Sequence, residues 1–404
     1  MNSGPRESPA GLSALFAPRS IVVVGASDDE DKTGGRALDY LRRFNFGGRV
    51  YAVNPKREKV QGLDTYASIS DLPEPPDLAI IAVPGEAAME AVSACAACRI
   101  PGAIITTSGF AELGVEGRRR QEEMLQQARG SGLRLVGPNS QGIANFARQT
   151  VASFSSLFLT YPPADGPVAI LSQSGSMSVV PYCELRSLGI GVRYCVATGN
   201  EVDITIGDAA EYAVNDPEIE LVLMYAETIS DPTPLVRAAR AARARGIPMV
   251  LLKAGRTQQG QEAALSHTGA LANPDRVVSA FCEHHGIWRV DDTDALLRTT
   301  PLYLKRWRPS GNRLAVLTDS GASAVMMADA AEQMGFSMCE FPAATRENLK
   351  QVLPAFVAVT NPVDMTSILR AEPQRFAAVL EAVSRENVAC LLYTSDAADD
   401  YFWV

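Results

Sequence analysis

Ser20-Ile21-Val22-Val23-Val24-Gly25-Ala26-Ser27 is the stretch that decides the fold. Four β-branched residues in a row, without polar alternation, suit a strand covered on both faces. Gly25 and the small residues behind it suit a turn into a helix. The same strand pattern returns at Arg49–Asn54, Leu78–Val83, Gly102–Thr106 and Leu133–Gly137, with helical stretches such as Ala87–Cys98 and Glu116–Gly130 between them. Strands alternating with helices predict a right-handed, doubly wound parallel sheet with helices on both faces, an α/β domain over residues 1–145.

A Pro-rich joint, Tyr161-Pro162-Pro163-Ala164-Asp165-Gly166-Pro167, interrupts the rhythm. A second α/β set follows, with strands at Val168–Ser172, Gly191–Val196, Ile219–Tyr225 and Pro248–Lys253, closing near Ile287–Val290. It predicts a second domain over 146–308. Another joint, Arg308-Pro309-Ser310-Gly311-Asn312, precedes the strand Arg313–Thr318, which opens a third domain over 309–390. That domain is expected to be incomplete, the chain being cut short near residue 390. Leu391–Val404 shows no periodicity and is expected to be a non-native tail.

Composition narrows the function classes. The chain has 404 residues, room for two to four domains with sizeable cores. Hydrophobic residues at 47% and charged residues at 21% exclude disordered, collagen-like and disulfide-scaffold classes. The net charge is −9, and no basic run exceeds Arg118-Arg119-Arg120, so there is no footprint for nucleic acid or an anionic membrane. Apolar runs such as Leu78–Val83 are strand-sized, far below the ~20 residues that span a bilayer. The start, Met1-Asn2-Ser3-Gly4-Pro5-Arg6, lacks an apolar signal core. Seven dispersed cysteines read as reduced thiols, and a cytoplasmic location is expected.

In an open α/β sheet, ligands bind beyond the carboxyl ends of the strands. The first tip runs from Gly25 through Lys32 to Gly35, but neither G-x-G-x-x-G nor the P-loop pattern is present. The second strand ends in Asn54, where a dinucleotide site would want a carboxylate for the ribose, so NAD is disfavoured. Asn54-Pro55-Lys56 instead sets an ammonium beside the crevice, which suits a phosphorylated ligand; an ordinary βα turn with a solvated lysine is the plainer reading. Thr107-Ser108-Gly109-Phe110-Ala111-Glu112 and Gly137-Pro138-Asn139-Ser140-Gln141-Gly142 add small polar groups.

Ser172-Gln173-Ser174-Gly175-Ser176-Met177 directly follows a strand and opens a helix that tolerates Pro181 near its start. Free N–H groups and the helix dipole make such a start an anion receptor, and plain N-capping is the alternative. His267, one of three histidines, is expected on a long loop within Ala254–Leu271. An imidazole can act as general base or as a nucleophile carrying a covalent intermediate; a structural histidine is the plainer reading. A phosphorylated imidazole would need an anion receptor, which Ser174–Ser176 could supply, and a carboxylate on its other nitrogen, for which Glu227 is the candidate. Cys95-Ala96-Ala97-Cys98 sits in an Ala-rich helix, and His284-His285 precedes Gly286 at a helix end; both read as structural, with no metal site expected. Arg237, Arg240, Arg243 and Arg245 read as a solvated helix face.

Taken in order, these strings resemble the NDP-forming acyl-CoA synthetase family, relatives of the succinyl-CoA synthetase α subunit. The strings are Leu15-Phe16-Ala17-Pro18-Arg19-Ser20-Ile21 leading into Gly25-Ala26-Ser27, then Val53-Asn54-Pro55-Lys56, Gly137-Pro138-Asn139, Ser172-Gln173-Ser174-Gly175, Gly199-Asn200-Glu201, Ser266-His267-Thr268-Gly269 and Asn361-Pro362-Val363-Asp364. The resemblance covers about residues 12–390. It implies a Rossmann-like CoA-binding domain followed by flavodoxin-like, succinyl-CoA-ligase-type domains. It also implies an acid–thiol ligase that passes phosphate from acyl phosphate to a histidine and on to ADP. Matched by position, His267 is the phosphohistidine, Glu227 its orienting carboxylate, and Ser174, Gly175 and Ser176 the phosphate-binding helix start. Gly25, Ala26, Ser27, Lys56, Val83, Pro84, Ser108, Gly109, Pro138 and Asn139 fall on CoA-contacting tips.

Ser140 stands where family members often carry cysteine. No ATP-grasp stretch is found, so the resemblance implies that ADP or ATP with Mg binds a missing ATP-grasp domain or a β subunit. The other partners implied are an acyl-CoA or carboxylic acid and phosphate, and an oligomer is expected. The competing reading is a non-catalytic CoA-sensing module, as in acetyltransferase fusions; those tend to lack the histidine, so His267 argues against it.

Overall fold

The computed structural model describes residues 12–268, 273–298, 300–305, 311–366, 368, 372–385 and 390–394. The chain forms two compact units, Met1–Lys305 and Arg306–Val404. The first unit holds two seven-stranded sheets and so gathers the first two expected domains into one body.

Sheet one is built on β1 (Ser20–Val24), whose five residues are all buried, which is why its sequence does not alternate. It continues through β2 (Arg49–Val53), the short β3 (Lys59–Val60) and β4 (Leu63–Tyr66), then β5 (Leu78–Ile81), β6 (Gly102–Ile105) and β7 (Arg134–Val136). The order is β3-β4-β2-β1-β5-β6-β7, and every pairing but β3–β4 is parallel. The winding reverses at β1, so a crevice opens between the tips of β1 and β5.

Sheet two comprises β8 (Gly142–Asn145), β9 (Thr150–Ser153), β10 (Val168–Ser172), β11 (Val192–Ala197), β12 (Leu221–Ala226), β13 (Met249–Lys253) and β14 (Trp288–Val290). Its order is β14-β13-β12-β10-β11-β8-β9, with the β11–β8 and β8–β9 pairings antiparallel and the rest parallel. Here the winding reverses at β10, between β11 and β12. The β8–β9 hairpin escapes the sequence reading because Gly142-Ile143-Ala144-Asn145 and Thr150-Val151-Ala152-Ser153 carry too little apolar signal to stand out. Although it is placed inside the first domain by that reading, β8 pairs with β11 in the second sheet.

The two sheets share a core. Tyr40, on the helix Thr33–Arg43 of the first sheet, is fully buried and donates its hydroxyl to Ser155 O at 2.6 Å. It packs edge-on to Phe158, which meets Tyr182 and Phe146. Among the described residues, no helix is long and apolar enough to cross a membrane.

The second unit centres on β15 (Arg313–Thr318), paired in parallel with β16 (Ser337–Met338), β17 (Val363–Asp364) and β18 (Cys390–Thr394). Asn361 ties its edge: Oδ1 accepts from Val316 N–H at 2.9 Å, and Nδ2 donates to Leu314 O at 2.7 Å and Cys339 O at 3.1 Å. The stretch expected to be a tail opens in a strand. Residues 391–394 complete β18, because Cys390-Leu391-Leu392-Tyr393-Thr394 is itself an apolar run of strand length. Residues 395–404 and most of the 308–312 joint lie outside the described residues.

The helix Thr33–Arg43 approaches the β1 tip so closely that a Cβ on Gly34 would stand 2.1 Å from Gly25 O. Gly34→Ala should therefore push the helix off the tip and lower stability by roughly 1–3 kcal/mol, read as a drop in unfolding free energy in urea.

Candidate functional site

The tips of sheet one are laced together by their own polar groups. Asn54 Nδ2 donates to Ala26 O at 2.9 Å, joining the β2 and β1 tips. Asn54 Oδ1 accepts from Lys56 N–H at 2.8 Å, holding the turn that leaves the Lys56 side chain exposed. Thr107 Oγ1 donates to Val83 O at 2.6 Å, and Asn139 N–H to Thr107 O at 2.9 Å, joining the β5, β6 and β7 tips. Gly25, at φ +87°, lies against Ala82 O, where a Cβ would come within 2.6 Å. The residues expected to meet CoA thus ring one crevice. Within that ring, Ser108 and Asn139 are exposed and Gly109 partly so, Pro84 caps the helix Gly85–Ala97, and Ala26 and Pro138 are buried and can offer little beyond backbone. The acidic run Asp28–Asp31 beside this crevice is offset by Lys32 on Asp29, Arg43 on Glu30 and Arg36 on Asp31.

In sheet two, β10 and β12 are hydrogen-bonded neighbours with Ser172 opposite Tyr225, so the β10 tip and Glu227 are brought side by side. Ser172 Oγ accepts from Ser174 N–H at 3.0 Å and donates to Ser174 O at 2.7 Å, shaping the turn into the helix Ser176–Ser187. The Ser174 and Ser176 hydroxyls meet at 3.1 Å. Met177 N–H reaches Ser174 Oγ at 3.5 Å and Ser178 N–H reaches Gly175 O at 3.2 Å, so the helix start is bonded back to the turn, and its dipole end favours anions there. A Cβ on Gly175 would come within 2.7 Å of the Gln141 side chain, which would have to move to admit it. Gln141 Oε1 is buried without a hydrogen-bond partner among the described residues.

Gln173 holds this arrangement together. Its Oε1 accepts from Glu227 N–H at 2.7 Å and Thr228 N–H at 3.0 Å, while its Nε2 donates to Thr228 O at 2.6 Å and Glu201 Oε2 at 2.7 Å. Glu227 is 7% exposed, and Tyr225 donates its hydroxyl to Glu227 Oε1 at 3.5 Å. Glu201 also accepts from Thr198 Oγ1 at 2.8 Å and Ile206 N–H at 2.7 Å. Withdrawal from water nevertheless pushes the Glu201 carboxyl up to about 7, against those donors and helped by nearby Asp208.

The two crevices are linked. Asn200 Nδ2 donates to Glu112 Oε2 at 2.8 Å and Gln121 Oε1 at 3.1 Å, and Glu112 Oε1 accepts from Gly109 N–H at 2.6 Å. Burial opposes the Glu112 charge, but those donors outweigh it and hold the carboxyl below its usual range. Lys253, fully buried at the end of β13, donates to Ala254 O at 2.5 Å. Desolvation and Arg289 push its ammonium down, with Asp275 and Glu227 opposing.

His267 is not on a loop. It lies near the end of the helix Gln258–Thr268, which leaves β13 and packs against the turn Ala111–Leu113 at the β6 tip of sheet one. Gln258 to Leu265 is rich in good helix formers, and Thr257 Oγ1 caps the start by accepting from Gly260 N–H at 3.1 Å. The His267 side chain and residues 269–272 lie outside the described residues. In the C-x-x-C pair, Cys95 is buried in its helix, which pushes its thiol up to about 12, and Cys98 is half-buried. His284 and His285 end the helix Asp275–His285, capped by Gly286 at φ +71°. Gln173, Glu201, Lys253 and the Glu112–Asn200 link carry no role in the sequence reading; only the resemblance strings that contain Gln173, Asn200 and Glu201 could have pointed to some of them.

Two adjoining α/β sheets with paired crevices of this build define a CoA-ligase α-type arrangement. Residues 19–145 match the CoA binding domain, 165–303 the succinyl-CoA ligase like flavodoxin domain and 314–383 the ligase-CoA domain. The α subunit of acetate–CoA ligase (ADP-forming) II from Pyrococcus furiosus is 34% identical, over 89% of this chain and 77% of that subunit. Acetate–CoA ligase (ADP-forming) I from Archaeoglobus fulgidus is 37% identical over 94% of this chain; the chain spans 54%, about half, of that relative's length. The solved acetyl-coenzyme A synthetase 1 of Korarchaeum cryptofilum, in complex with phosphate and ADP, superposes with TM-score 0.84 at 29% identity, covering 95% of this chain and 82% of that one. The chain belongs to the ADP-forming acyl-CoA synthetase family.

Glu201 makes a pH prediction. Its folded value stands above the unfolded one, so between about pH 4.5 and 7 the folded chain keeps a proton that the unfolded chain has released. This group's contribution to stability should then decline as pH rises through that window, by about 3 kcal/mol at most. Urea unfolding across the window should show the decline in the wild type and its absence in Glu201→Gln.

Proposed function

We propose that this chain is the CoA- and phosphohistidine-bearing part of an NDP-forming acyl-CoA synthetase. The observation that carries the reading is the β10–β12 reversal in sheet two. It brings an anion-binding helix start beside a buried carboxylate, while the next strand sends out a helix bearing His267 that reaches the crevice of sheet one.

The first crevice fits CoA in its build: glycine and serine tips let backbone approach a pyrophosphate, and Lys56 stands exposed at the rim. In the reaction, phosphate attacks the acyl-CoA carbonyl, the C–S bond breaks and CoA leaves as the thiol, giving acyl phosphate. An imidazole nitrogen of His267 then attacks phosphorus, the P–O bond to the acyl group breaks and the carboxylate departs. Ser174, Gly175 and Ser176 hold the phosphoryl oxygens through N–H and hydroxyl groups, a preorganised arrangement that does not have to form as charge develops. Glu227 accepts the remaining ring N–H, which fixes the tautomer and stabilises the charged imidazole. The step to ADP, with its Mg, belongs to an ATP-grasp part carried by the same or a partner chain.

Incubated with acetyl-CoA and radiolabelled phosphate, the full chain should acquire acid-labile, base-stable label. His267→Asn should acquire none, and Glu227→Gln should label at least tenfold more slowly. Label persisting in His267→Asn would remove the assignment.

A further inference from the structure

Gln141 lies between the two crevices. Two residues before it, Asn139 stands exposed at the rim of the first; against it lies Gly175, in the turn of the second. A Cβ built on Gly175 would meet Gln141 Cδ and Cγ at 2.7 Å and Nε2 at 2.8 Å, so the carboxamide rests where that turn carries no side chain. The backbone beneath it is fixed on both sides. Ser140 Oγ donates to Ala197 O at 2.5 Å and accepts from Gly142 N–H at 2.8 Å, straddling Gln141.

The carboxamide itself is unspent. Its Oε1 is buried with no hydrogen-bond partner, and its Nε2 has none either, among the described residues. Gln173, on the other side of the same turn, is the contrast: both ends of its amide are committed to the protein. A buried polar atom left unpaired costs stability, and a well-placed amide kept in that condition calls for a functional reason.

The first step of the reaction supplies one. With CoA on the tips of sheet one and phosphate at Ser174–Ser176, the thioester carbonyl falls between them, on the side where Gln141 lies. A phosphate oxygen bonds to the carbonyl carbon, and the carbonyl oxygen takes the negative charge. When the C–S bond breaks, that charge returns to re-form the carbonyl. Sulfur leaves with the bonding pair and takes up the proton that hydrogen phosphate brought. Phosphate and CoA have their holders; the charged oxygen needs a donor fixed in advance.

Resting on the reading of these crevices as CoA and phosphate sites, we propose that Gln141 is a catalytic residue of this step, its Nε2–H donating to the thioester carbonyl oxygen as the charge develops. The bare Gly175 gives the amide its room beside the phosphate.

The test is arsenolysis of acetyl-CoA by the full chain. Arsenate stands in for phosphate, and water hydrolyses the acetyl arsenate, so thioester loss continues without nucleotide. Gln141→Met keeps length and bulk and removes both polar ends. It should lower the saturating rate about a hundredfold, with half-saturating acetyl-CoA and arsenate within about twofold of wild type. Its thermal midpoint should stand at or above that of wild type, because the unpaired buried oxygen is lost together with the donor. Gln141→Glu, which sets an acceptor where the donor was, should be at least as slow. A rate within about threefold of wild type in either variant overturns the proposal, as does a loss carried by raised half-saturation. So does a slowed rate that comes with a lowered midpoint in both. A wild-type chain that leaves acetyl-CoA intact in arsenate overturns the reading of the crevices, and the proposal with it.

Discussion

A buried side-chain amide can sit only one way round when its oxygen faces N–H groups and its nitrogen faces oxygens. Gln173 is such an amide, 8% exposed, with two N–H donors on one end and a carbonyl and a carboxylate on the other. It stands at the tip of β10, the strand where the winding of sheet two reverses, and that is the one tip flanked by both β11 and β12. From there it reaches Glu201 beyond β11 and the Glu227 backbone beyond β12. The β10 turn, the carboxylate and the loop after β11 therefore take their relative positions from one side chain. Reversing the amide would set donors against donors on one side and oxygens against oxygens on the other.

Charge is handled locally in the same body. The chain is acidic overall, at −9, a field that works against an anionic ligand at long range. In the acidic run beside the first crevice, Asp29, Glu30 and Asp31 each have a cation from the same helix or its approach, and Asp28 accepts from Gln61 N–H. Beyond the second crevice, Lys253, Arg256 and Arg289 gather at the ends of β13 and β14, with Arg289 and Arg256 paired to Asp275 and Asp291. The local balance around each crevice is thus set apart from the net charge.

Both parallel cores were legible because doubly covered strands such as β1 and β10 write themselves as unbroken apolar runs. The tips were legible for a related reason: glycine, serine and a terminal acid after a strand have few structural explanations. Glu227 and Ser174–Ser176 came from that rule. The β8–β9 hairpin was hidden by its small residues, and β18 by the reading of Leu391–Val404 as a stretch without periodicity. His267 was set on a loop because Gly260 and the small residues before it outweighed the helix formers around them. Gln173 stood in a resemblance string, but its role was not legible. Apart from the Glu201 carboxylate, its partners are backbone groups of a tip brought near only by the order of the strands, and a backbone N–H leaves no trace in the letters of a sequence.

The short passage from β7 to β8 joins the two sheets, and Gly137 through Ser140 are each bonded to neighbouring tips. Asn139 and Ser140 N–H groups go to Thr107 and Ile105 on one side. The carbonyls of Gly137 and Pro138 take Val202 and Asn200 on the other, Ser140 Oγ donates to Ala197 O at 2.5 Å, and Arg134 is paired with Asp203. A joint so fully occupied is a girder and not a hinge. The span between the first crevice and the second is then a constant of the architecture, and anything handed from one to the other must be carried across by an arm of the substrate or of the protein, because the halves cannot fold together like jaws to meet it.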